Sequence, residues 1–347
     1  ATLKGNAVAQ QAQKSDEQFM RQALRLGRFG LGNTAPNPAV GCVLVKNRQV
    51  IATGLTQRGG RPHAEAMALA EAGDAARGAT AYVTLEPCAH EGKTPPCAKA
   101  LIDAGVVRVV YAIDDPDKRV DGRGAKLLRL AGIEVESGVL AEEARQGQIG
   151  FLLRETDKRP MVTLKLAISA NGFMRTPPGE DKWITGPLSR QMGHKLRAEH
   201  DAIITGSGTL LEDDPSLDCR LPGLNNASPT PVVMGKNDIP ADSKLAQRAK
   251  KQTLVHYKNE TPRAALQDLA ACGMTRAILE CGPTLAGAFL KDDLVDELAL
   301  FTAPHDVAMT KESDISLMQL DLTRFRQISE ANLGADSYQH FCRERRH

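Results

Sequence analysis

The sequence lacks long apolar runs, and it contains few aromatic residues. No part of the 347-residue chain approaches the ~18 uninterrupted apolar residues of a membrane-spanning helix. Its first residues, ATLKGNAVAQQAQKS, also lack the apolar core of a secretory signal. Aromatic side chains amount to 4%, whereas proteins that bind single-stranded nucleic acids need aromatic stacking platforms. These absences argue against a membrane or secreted protein, and we expect the chain to act in the cytoplasm.

Neither sign of charge is in excess, and the cysteines are odd in number. The 44 Lys and Arg nearly balance the 42 Asp and Glu, giving a net charge of +2, which disfavours polyanion binding without excluding it. Seven cysteines spread over a long chain argue against a disulfide framework and favour thiols or metal ligands in a reducing compartment. With 42% hydrophobic and 25% charged residues, the composition is that of a globular protein, and the length indicates two domains.

Strands and helices alternate in the first half of the chain. Residues 1–15 have no hydrophobic period and are interpreted as a flexible tail, with Asp16 as the N-cap candidate of the first helix. The pattern then predicts a hairpin that turns at residues 46–48, helices at 63–73, 97–105 and 124–132, and strands at 79–87 and 106–113. A further helix ends before Pro160, so we expect a domain boundary between residues 150 and 160. This alternation predicts a layered α/β domain.

The second half repeats the alternation of strands and helices. Its predicted strands lie at 161–169, 201–206, 230–235, 252–257, 276–282 and 297–303. Two further segments, FRQIS and SYQHFC, predict an antiparallel end to the sheet. The second half is therefore also predicted to be an α/β domain.

The most specific motif combines a histidine with two cysteines. His63 and Glu65 lie at a predicted helix start, while Cys88 and Cys97 follow the predicted strand at 79–87. One His and two Cys can bind Zn²⁺ and leave the fourth tetrahedral position for water, as in a catalytic site. Glu65 is then a candidate proton shuttle for a zinc nucleobase deaminase. Eight residues separate the cysteines instead of the usual two, and inert thiols or a closed structural zinc site remain alternatives.

Longer motifs resemble a known family. The stretch from Cys88 to Cys97, CAHEGKTPPC, together with Asn37-Pro38-Ala39-Val40-Gly41, resembles the bifunctional riboflavin-biosynthesis deaminase/reductase family, and the likeness extends from about residue 16 to residue 342. This resemblance implies a three-layer, cytidine-deaminase-like first domain that removes an amino group from a diaminopyrimidinone ribosylamine 5′-phosphate. A dihydrofolate-reductase-like α/β domain would follow it.

The resemblance also implies roles for residues of the first domain. His63, Cys88 and Cys97 would bind one zinc ion per chain, and Glu65 would be the catalytic proton shuttle. Asn37 would contact the pyrimidine, whereas His90 and Lys93 would hold the ribose phosphate. Asp117 stands where relatives often have Asn, so a base contact there is not carried over.

Two glycine turns distinguish the second half of the chain. Gly206 and Gly282 each end a predicted strand and begin a predicted helix, a geometry that can present backbone N–H groups to a phosphate. Neither turn matches the G-x-G-x-x-G or P-loop pattern. From these residues alone, a plain helix cap is as good an interpretation as a dinucleotide site.

The resemblance assigns NADPH to this second domain. It implies cofactor contacts by Ala167, Trp183, Thr209, Asp213, Gly282, Pro283, Thr284, Leu285, Ala286, Gly287 and Ala288. It implies substrate contacts by Lys165, Asp181, Arg197, Leu217, Arg220 and Glu280. Lys165 and Glu280 are candidates for polar groups near the reacting sugar, with a structural ion pair as the alternative. Gly235-Lys236 departs from the family pattern, so a cofactor contact there is not carried over.

These features together predict an enzyme with two activities. We divide the chain into a tail at 1–15, a zinc-dependent deaminase domain at 16–157 and an NADPH-dependent reductase domain at 158–347. The predicted partner is a small pyrimidine ribotide, and the family favours a homo-oligomer. Two alternatives are a zinc deaminase that acts on tRNA or DNA bases and a non-catalytic scaffold that zinc stabilises.

Overall fold

The chain divides into two compact units. The computed structural model describes residues 2–89, 95–117, 120, 122–177, 179, 181, 183–308 and 321–344. The first unit ends at Asp157 and the second begins at Lys158. Among the described residues, no helix combines the length and the apolar character needed to cross a membrane.

The first unit is a five-stranded sheet with helices packed on it. Its strands are β1 (Gly41–Lys46), β2 (Gln49–Leu55), β3 (Thr80–Val83), β4 (Arg108–Tyr111) and β5 (Glu134–Ser137). Its helices are α1 (Thr2–Arg28), α2 (Ala64–Ala72), α3 (Cys97–Asp103), α4 (Arg123–Leu130) and α5 (Ala141–Thr156). The sheet order is β2-β1-β3-β4-β5, with β1 antiparallel to β2 and β3 and the last three strands parallel. The predicted hairpin and layered α/β architecture are confirmed.

Close helix-to-sheet packing determines where α2 begins. Ala64 and Ala68 of α2 are fully buried against the sheet. A Cβ atom at Gly54 of β2 would lie 2.0 Å from the Ala64 carbonyl oxygen, so the contact needs a glycine. Since His63 directly precedes α2, this contact also determines the position of the first candidate metal ligand.

Two local predictions in the first unit differ from the structure, and one strand was not predicted. Helix α1 begins at Thr2, so residues 2–15 are helical and not an irregular tail; their Ala, Gln and Lys are good helix formers. Strand β3 covers only Thr80–Val83 of the predicted 79–87, and Pro87 has no N–H to donate to a ladder. Strand β5 was not predicted, because its four residues have no buried alternate positions.

The second unit is an eight-stranded, mostly parallel sheet. Its strands are β6 (Met161–Ile168), β7 (Ala202–Gly206), β8 (Thr230–Met234), β9 (Val255–Tyr257), β10 (Arg276–Leu279), β11 (Glu297–Thr302), β12 (Phe325–Leu333) and β13 (Asp336–Arg343). Its helices are α6 (Pro187–Ala198), α7 (Ser207–Asp213), α8 (Lys244–Ala249), α9 (Pro262–Ala271) and α10 (Pro283–Lys291). The order is β12-β13-β11-β6-β10-β7-β8-β9. Only the pairs that include β13 are antiparallel, which confirms the predicted antiparallel end.

A buried ion pair connects the start of β6 to the residue before β11. The two terminal nitrogens of Arg159 lie 2.6 and 2.9 Å from the carboxylate oxygens of Asp296. The side chains are 6% and 3% exposed. Asp296 also accepts a hydrogen bond from the Val162 N–H at 2.9 Å.

We expect the substitution Asp296→Asn to destabilise the second unit. It removes the carboxylate charge that lies against the buried Arg159 guanidinium, and breaking a buried ion pair typically costs ~3–5 kcal/mol. Chemical denaturation followed by the fluorescence of Trp183, the single tryptophan, measures the stability of this unit. The exposed pair of Lys258 and Asp238 supplies the control, since Asp238→Asn should leave the midpoint unchanged. Equal midpoints for the two variants would contradict the expectation.

Candidate functional sites

Three different segments bring the histidine and the cysteines together. His63 is the N-cap residue of α2, Cys97 is the first residue of α3, and Cys88 lies in the segment that follows β3. Nδ1 of His63 is 3.3 Å from Sγ of Cys97 and 3.8 Å from Sγ of Cys88. The three ligand atoms all lie within 4.8 Å of one another.

This donor set fits zinc. Imidazole nitrogen and thiolate sulfur are the usual ligands of Zn²⁺, and three protein ligands are the number found in catalytic sites. Hydrogen bonds from the Cys97 thiol and the Cys97 backbone N–H, the latter 3.3 Å long, lower the pKa of Cys88 to about 4. These hydrogen bonds favour the thiolate form of Cys88, which is the form that binds metals. The cluster is the predicted zinc site.

Glu65 lies beside the His63, Cys88 and Cys97 cluster but is not one of the three candidate metal ligands. It is the second residue of α2 and is only 4% exposed. Burial, followed by the nearby Cys88 thiolate, raises the pKa of Glu65 to about 7. A carboxyl group with a pKa near neutrality can both accept and return a proton.

A cavity of about 260 Å³ adjoins this cluster. Asn37, His63, Glu65 and Cys88 all line it. The Asn37 amide donates a 2.8 Å hydrogen bond to the Gly60 carbonyl, and its Nδ2 lies 3.3 Å from Nε2 of His63. Gly60 has a φ of 85°, and a Cβ there would lie 2.6 Å from Cγ of Asn37, so glycine is needed for this contact. The predicted pyrimidine contact thus lies in the same cavity as the zinc ligands.

Other residues of this cavity were not predicted from the sequence. They include Arg61, Glu86, Asp115, Phe151, Arg154 and Glu155. Burial raises the pKa of Asp115 to about 7, and Asp115 accepts a 2.9 Å hydrogen bond from the backbone N–H of Asp117, which also lines the cavity. Asp115 and Asp117 lie in the segment that follows β4, and this segment reaches the zinc ligands only through the fold of the chain. The predicted phosphate contacts, His90 and Lys93, lie outside the described residues.

The second unit contains a larger cavity, of about 530 Å³, where strands β6, β7 and β10 end. Carboxyl ends of parallel strands are the usual ligand site of such sheets. The predicted residues that line it are Lys165, Ala167, Trp183, Arg197, Thr209, Asp213, Leu217, Arg220, Glu280, Gly282 and Pro283. Asp181 and residues 284–288 do not line this cavity; Asp181 accepts a 3.0 Å hydrogen bond from the Trp183 N–H, and residues 284–288 continue α10.

The two glycine turns meet at this cavity. Gly206 is the N-cap residue of α7 and Gly282 that of α10, and the Gly282 N–H donates a 3.2 Å hydrogen bond to Oγ1 of Thr209. Trp183 is 49% exposed and has the Arg190 guanidinium 5.0 Å from its ring centroid. Adjacent helix N-termini, a glycine at each turn and an exposed aromatic face fit a dinucleotide such as NADPH.

An ion pair crosses the same cavity. Nε and a terminal nitrogen of Arg197 lie 2.7 and 2.9 Å from the two carboxylate oxygens of Glu280. Burial opposes ionisation of Glu280, but Arg197 outweighs it and lowers the pKa of Glu280 to about 2. Burial lowers the pKa of Lys165, against the opposing effect of Glu280. Arg197 is thus the partner that lies at hydrogen-bond distance from Glu280. The sequence had offered an ion pair between Glu280 and Lys165 as the alternative to a role near the sugar.

Sequence reasoning missed further residues of this cavity. They are Arg175, Arg190, His194, Thr205 and Lys244, among others. His194 belongs to no motif of the sequence, but it precedes Arg197 by one turn of α6, and burial lowers its pKa. Gly235 follows β8 with a φ of 132°, and a Cβ there would lie 2.2 Å from Oγ of Ser207. This close contact and the positive φ explain why the chain needs glycine at this position.

Both halves of the chain match known protein families. Residues 13–113 match the cytidine and deoxycytidylate deaminase zinc-binding region, and residues 160–330 match the RibD C-terminal domain. The riboflavin biosynthesis protein RibD of Escherichia coli is 41% identical over 321 residues, which cover 83% of this chain and 88% of that protein. The RibD protein of Aquifex aeolicus is 35% identical over 343 residues, with coverages of 92% and 96%.

Solved structures agree over almost the whole chain. Acinetobacter baumannii RibD is 36% identical with a TM-score of 0.85, and the match covers 96% of this chain and 100% of that one. A Thermotoga maritima diaminohydroxyphosphoribosylaminopyrimidine deaminase/5-amino-6-(5-phosphoribosylamino)uracil reductase is 30% identical with a TM-score of 0.82, covering 96% and 99%. Fold and sites therefore define a zinc-binding deaminase joined to a reductase. The chain belongs to the RibD family of bifunctional riboflavin-biosynthesis enzymes, whose reductase uses NADPH.

Proposed function

We propose that the first unit hydrolyses the amino group at the 2-position of a diaminopyrimidinone ribosylamine 5′-phosphate. The observation that carries this proposal is the cluster of His63, Cys88 and Cys97, of which His63 and Cys88 line one cavity together with Glu65. The substrate named for the Thermotoga maritima relative is a pyrimidine of this kind. Asn37 would contact the pyrimidine ring, and His90 and Lys93 would bind the phosphate.

The deamination needs a base that later acts as an acid. When zinc is bound at the His/Cys/Cys cluster, it supplies a Lewis acid that makes water reactive at neutral pH. Glu65 accepts a proton from that water as the new C–O bond forms, and gives it to the amino nitrogen as the C–N bond breaks. The remaining hydroxyl proton passes to the adjacent ring nitrogen, so water and the amine become a carbonyl group and ammonia. The pKa of Glu65, about 7, suits both transfers.

The second unit would then open and reduce the ribosyl ring to a ribityl chain. The turns of Gly206 and Gly282 would hold NADPH, which when bound would supply the hydride that C1′ of the sugar accepts. We assign to Lys165 the proton that the ring oxygen takes up when its bond to C1′ breaks. Glu280, whose oxygens are both engaged by Arg197, would orient the sugar.

We assign the remaining predicted roles in the same way. Residues 16–157 form the deaminase domain and 158–347 the reductase domain. The cofactor contacts are Ala167, Trp183, Thr209, Asp213 and residues 282–288, and the substrate contacts are Lys165, Asp181, Arg197, Leu217, Arg220 and Glu280. We further propose a cytoplasmic homo-oligomer that does not act on nucleic acid; the balanced charge and the low aromatic content support the last point.

Mass spectrometry of the products tests both halves of the proposal. The zinc-loaded protein is incubated with the diaminopyrimidinone ribosylamine phosphate, with and without NADPH. We expect oxygen to replace one amino group in both samples, and two hydrogens to be gained only where NADPH is present. Deamination alone would contradict the reductase assignment, and the absence of any turnover by folded, zinc-loaded protein would contradict both assignments.

A further inference from the structure

One buried polar group in the second unit has no partner. Thr205, in β7, is 0% exposed, and its Oγ1 makes no hydrogen bond to any of the residues that the structure describes. The same side chain lines the larger cavity, that of the second unit. Buried hydroxyl groups are almost always hydrogen-bonded, so one without a partner at the wall of a cavity points to a ligand.

The strand register locates this hydroxyl group. Leu279 of β10 pairs with Leu164 of β6 on one side and with Ile204 of β7 on the other. One residue further along each strand lie Glu280, Lys165 and Thr205, which therefore form a row across three adjacent strands. Since side chains alternate between faces and the strands are parallel and in register, all three point to the same face of the sheet.

The other two members of the row do not satisfy Thr205. Both oxygens of Glu280 are engaged by Arg197. Lys165 forms no hydrogen bond with a described residue, and its ammonium group lies 5.7 Å from the ring centroid of Phe301. The row therefore offers an ammonium donor, a carboxylate held by an arginine, and a hydroxyl group that can both donate and accept.

We propose that the Thr205 hydroxyl group binds a sugar hydroxyl of the substrate during the reduction. A sugar hydroxyl can complete both hydrogen bonds of Thr205, and the neighbours of Thr205 in the row are the residues assigned above to the substrate. The nearby hydroxyl group of Thr209, by contrast, already has a protein partner, because its Oγ1 accepts the hydrogen bond of the Gly282 N–H. This inference deepens the proposed reductase function and rests on it.

Two substitutions separate binding from packing. Thr205→Val keeps the shape and removes the hydroxyl group, whereas Thr205→Ser keeps the hydroxyl group. In assays of NADPH oxidation with 5-amino-6-(5-phosphoribosylamino)uracil, we expect Thr205→Val to lower kcat/KM for this substrate about tenfold, a typical effect of losing one neutral hydrogen bond. Thr205→Ser should stay within about threefold of the wild type. The KM for NADPH should not change in either variant.

Thermal unfolding without ligands gives the second measurement. Because valine removes a hydroxyl group that has no protein partner, the melting temperature of Thr205→Val should equal or exceed that of the wild type. A lower melting temperature would mean that the hydroxyl group stabilises the fold, and an unchanged kcat/KM would mean that it does not meet the sugar. A loss confined to the NADPH KM would assign Thr205 to the cofactor. Each of these results overturns the inference while the wild type still turns over, whereas an inactive wild type would overturn the proposed reductase function itself.

Discussion

Replacing Glu65 by Gln is expected to lower the deamination rate by about 10²- to 10⁴-fold, the usual contribution of a general acid-base residue. Glutamine fills the same space next to the His63, Cys88 and Cys97 cluster, but it cannot carry the proton from water to the leaving amine. Release of ammonia from the diaminopyrimidinone ribosylamine phosphate, followed over time, measures the rate. The reduction of already deaminated substrate should be unchanged, because Glu65 lies in the first unit.

The chain provides a matched control for this substitution. Glu71 is on the same helix, α2, but it is exposed and accepts a 2.7 Å hydrogen bond from the Thr53 N–H. Glu71→Gln should deaminate at the wild-type rate, and both variants should contain one zinc per chain by elemental analysis. If Glu65→Gln kept its zinc and also kept the wild-type rate, Glu65 would not be the proton shuttle.

The zinc cluster could be predicted because its signals are local. His63 and Cys97 stand at the starts of two helices, and Cys88 follows a buried strand, so each ligand lies next to a recognisable element. The structure adds the distances between the ligand atoms, which the spacing alone does not determine. It also shows the burial of Glu65, which depends on how closely α2 approaches the sheet at Gly54.

The residues that sequence reasoning missed have no local signal. Asp115 becomes part of the deaminase cavity only because β4 pairs with β3, which brings the ends of the two strands side by side. Thr205 looks like an ordinary strand residue until the register places it beside Glu280. Strand β5 and residues 2–15 of α1 were missed for a different reason, since their sequences carry little hydrophobic periodicity.

The glycine turns of the second unit show what a pattern alone leaves open. Gly206 and Gly282 were equally compatible with helix caps and with a cofactor site. Each is the N-cap residue of a helix, and Thr209 of α7 and Gly282 line the same cavity. The decisive fact is that β10 and β7 are adjacent parallel strands, a pairing between segments far apart in the chain.

Replacing Lys165 by Met should have an effect on reduction comparable to that of the Glu65 variant on deamination. We expect kcat of the reductase to fall by about 10²- to 10⁴-fold, because methionine has a similar length but no proton to give to the ring oxygen. The exposed Lys195 of α6 serves as the control, and Lys195→Met should leave the rate unchanged. Oxidation of NADPH in stopped-flow experiments with deaminated substrate measures the rate.

The pH dependence of the wild-type reduction rate also tests whether Lys165 is the proton donor. The charged groups that face Lys165 are Glu280, which raises its pKa, and Arg197, which lowers it, and burial lowers it most. A proton donor must be protonated, so the rate is greatest below this pKa and falls as pH rises through it, at a pH below the ordinary lysine value of 10.5. Arg197 and Glu280 stay ionised across that range and contribute no limb of their own. The residual activity of Lys165→Met should lack this alkaline limb; if the limb persisted, another group would have to supply the proton.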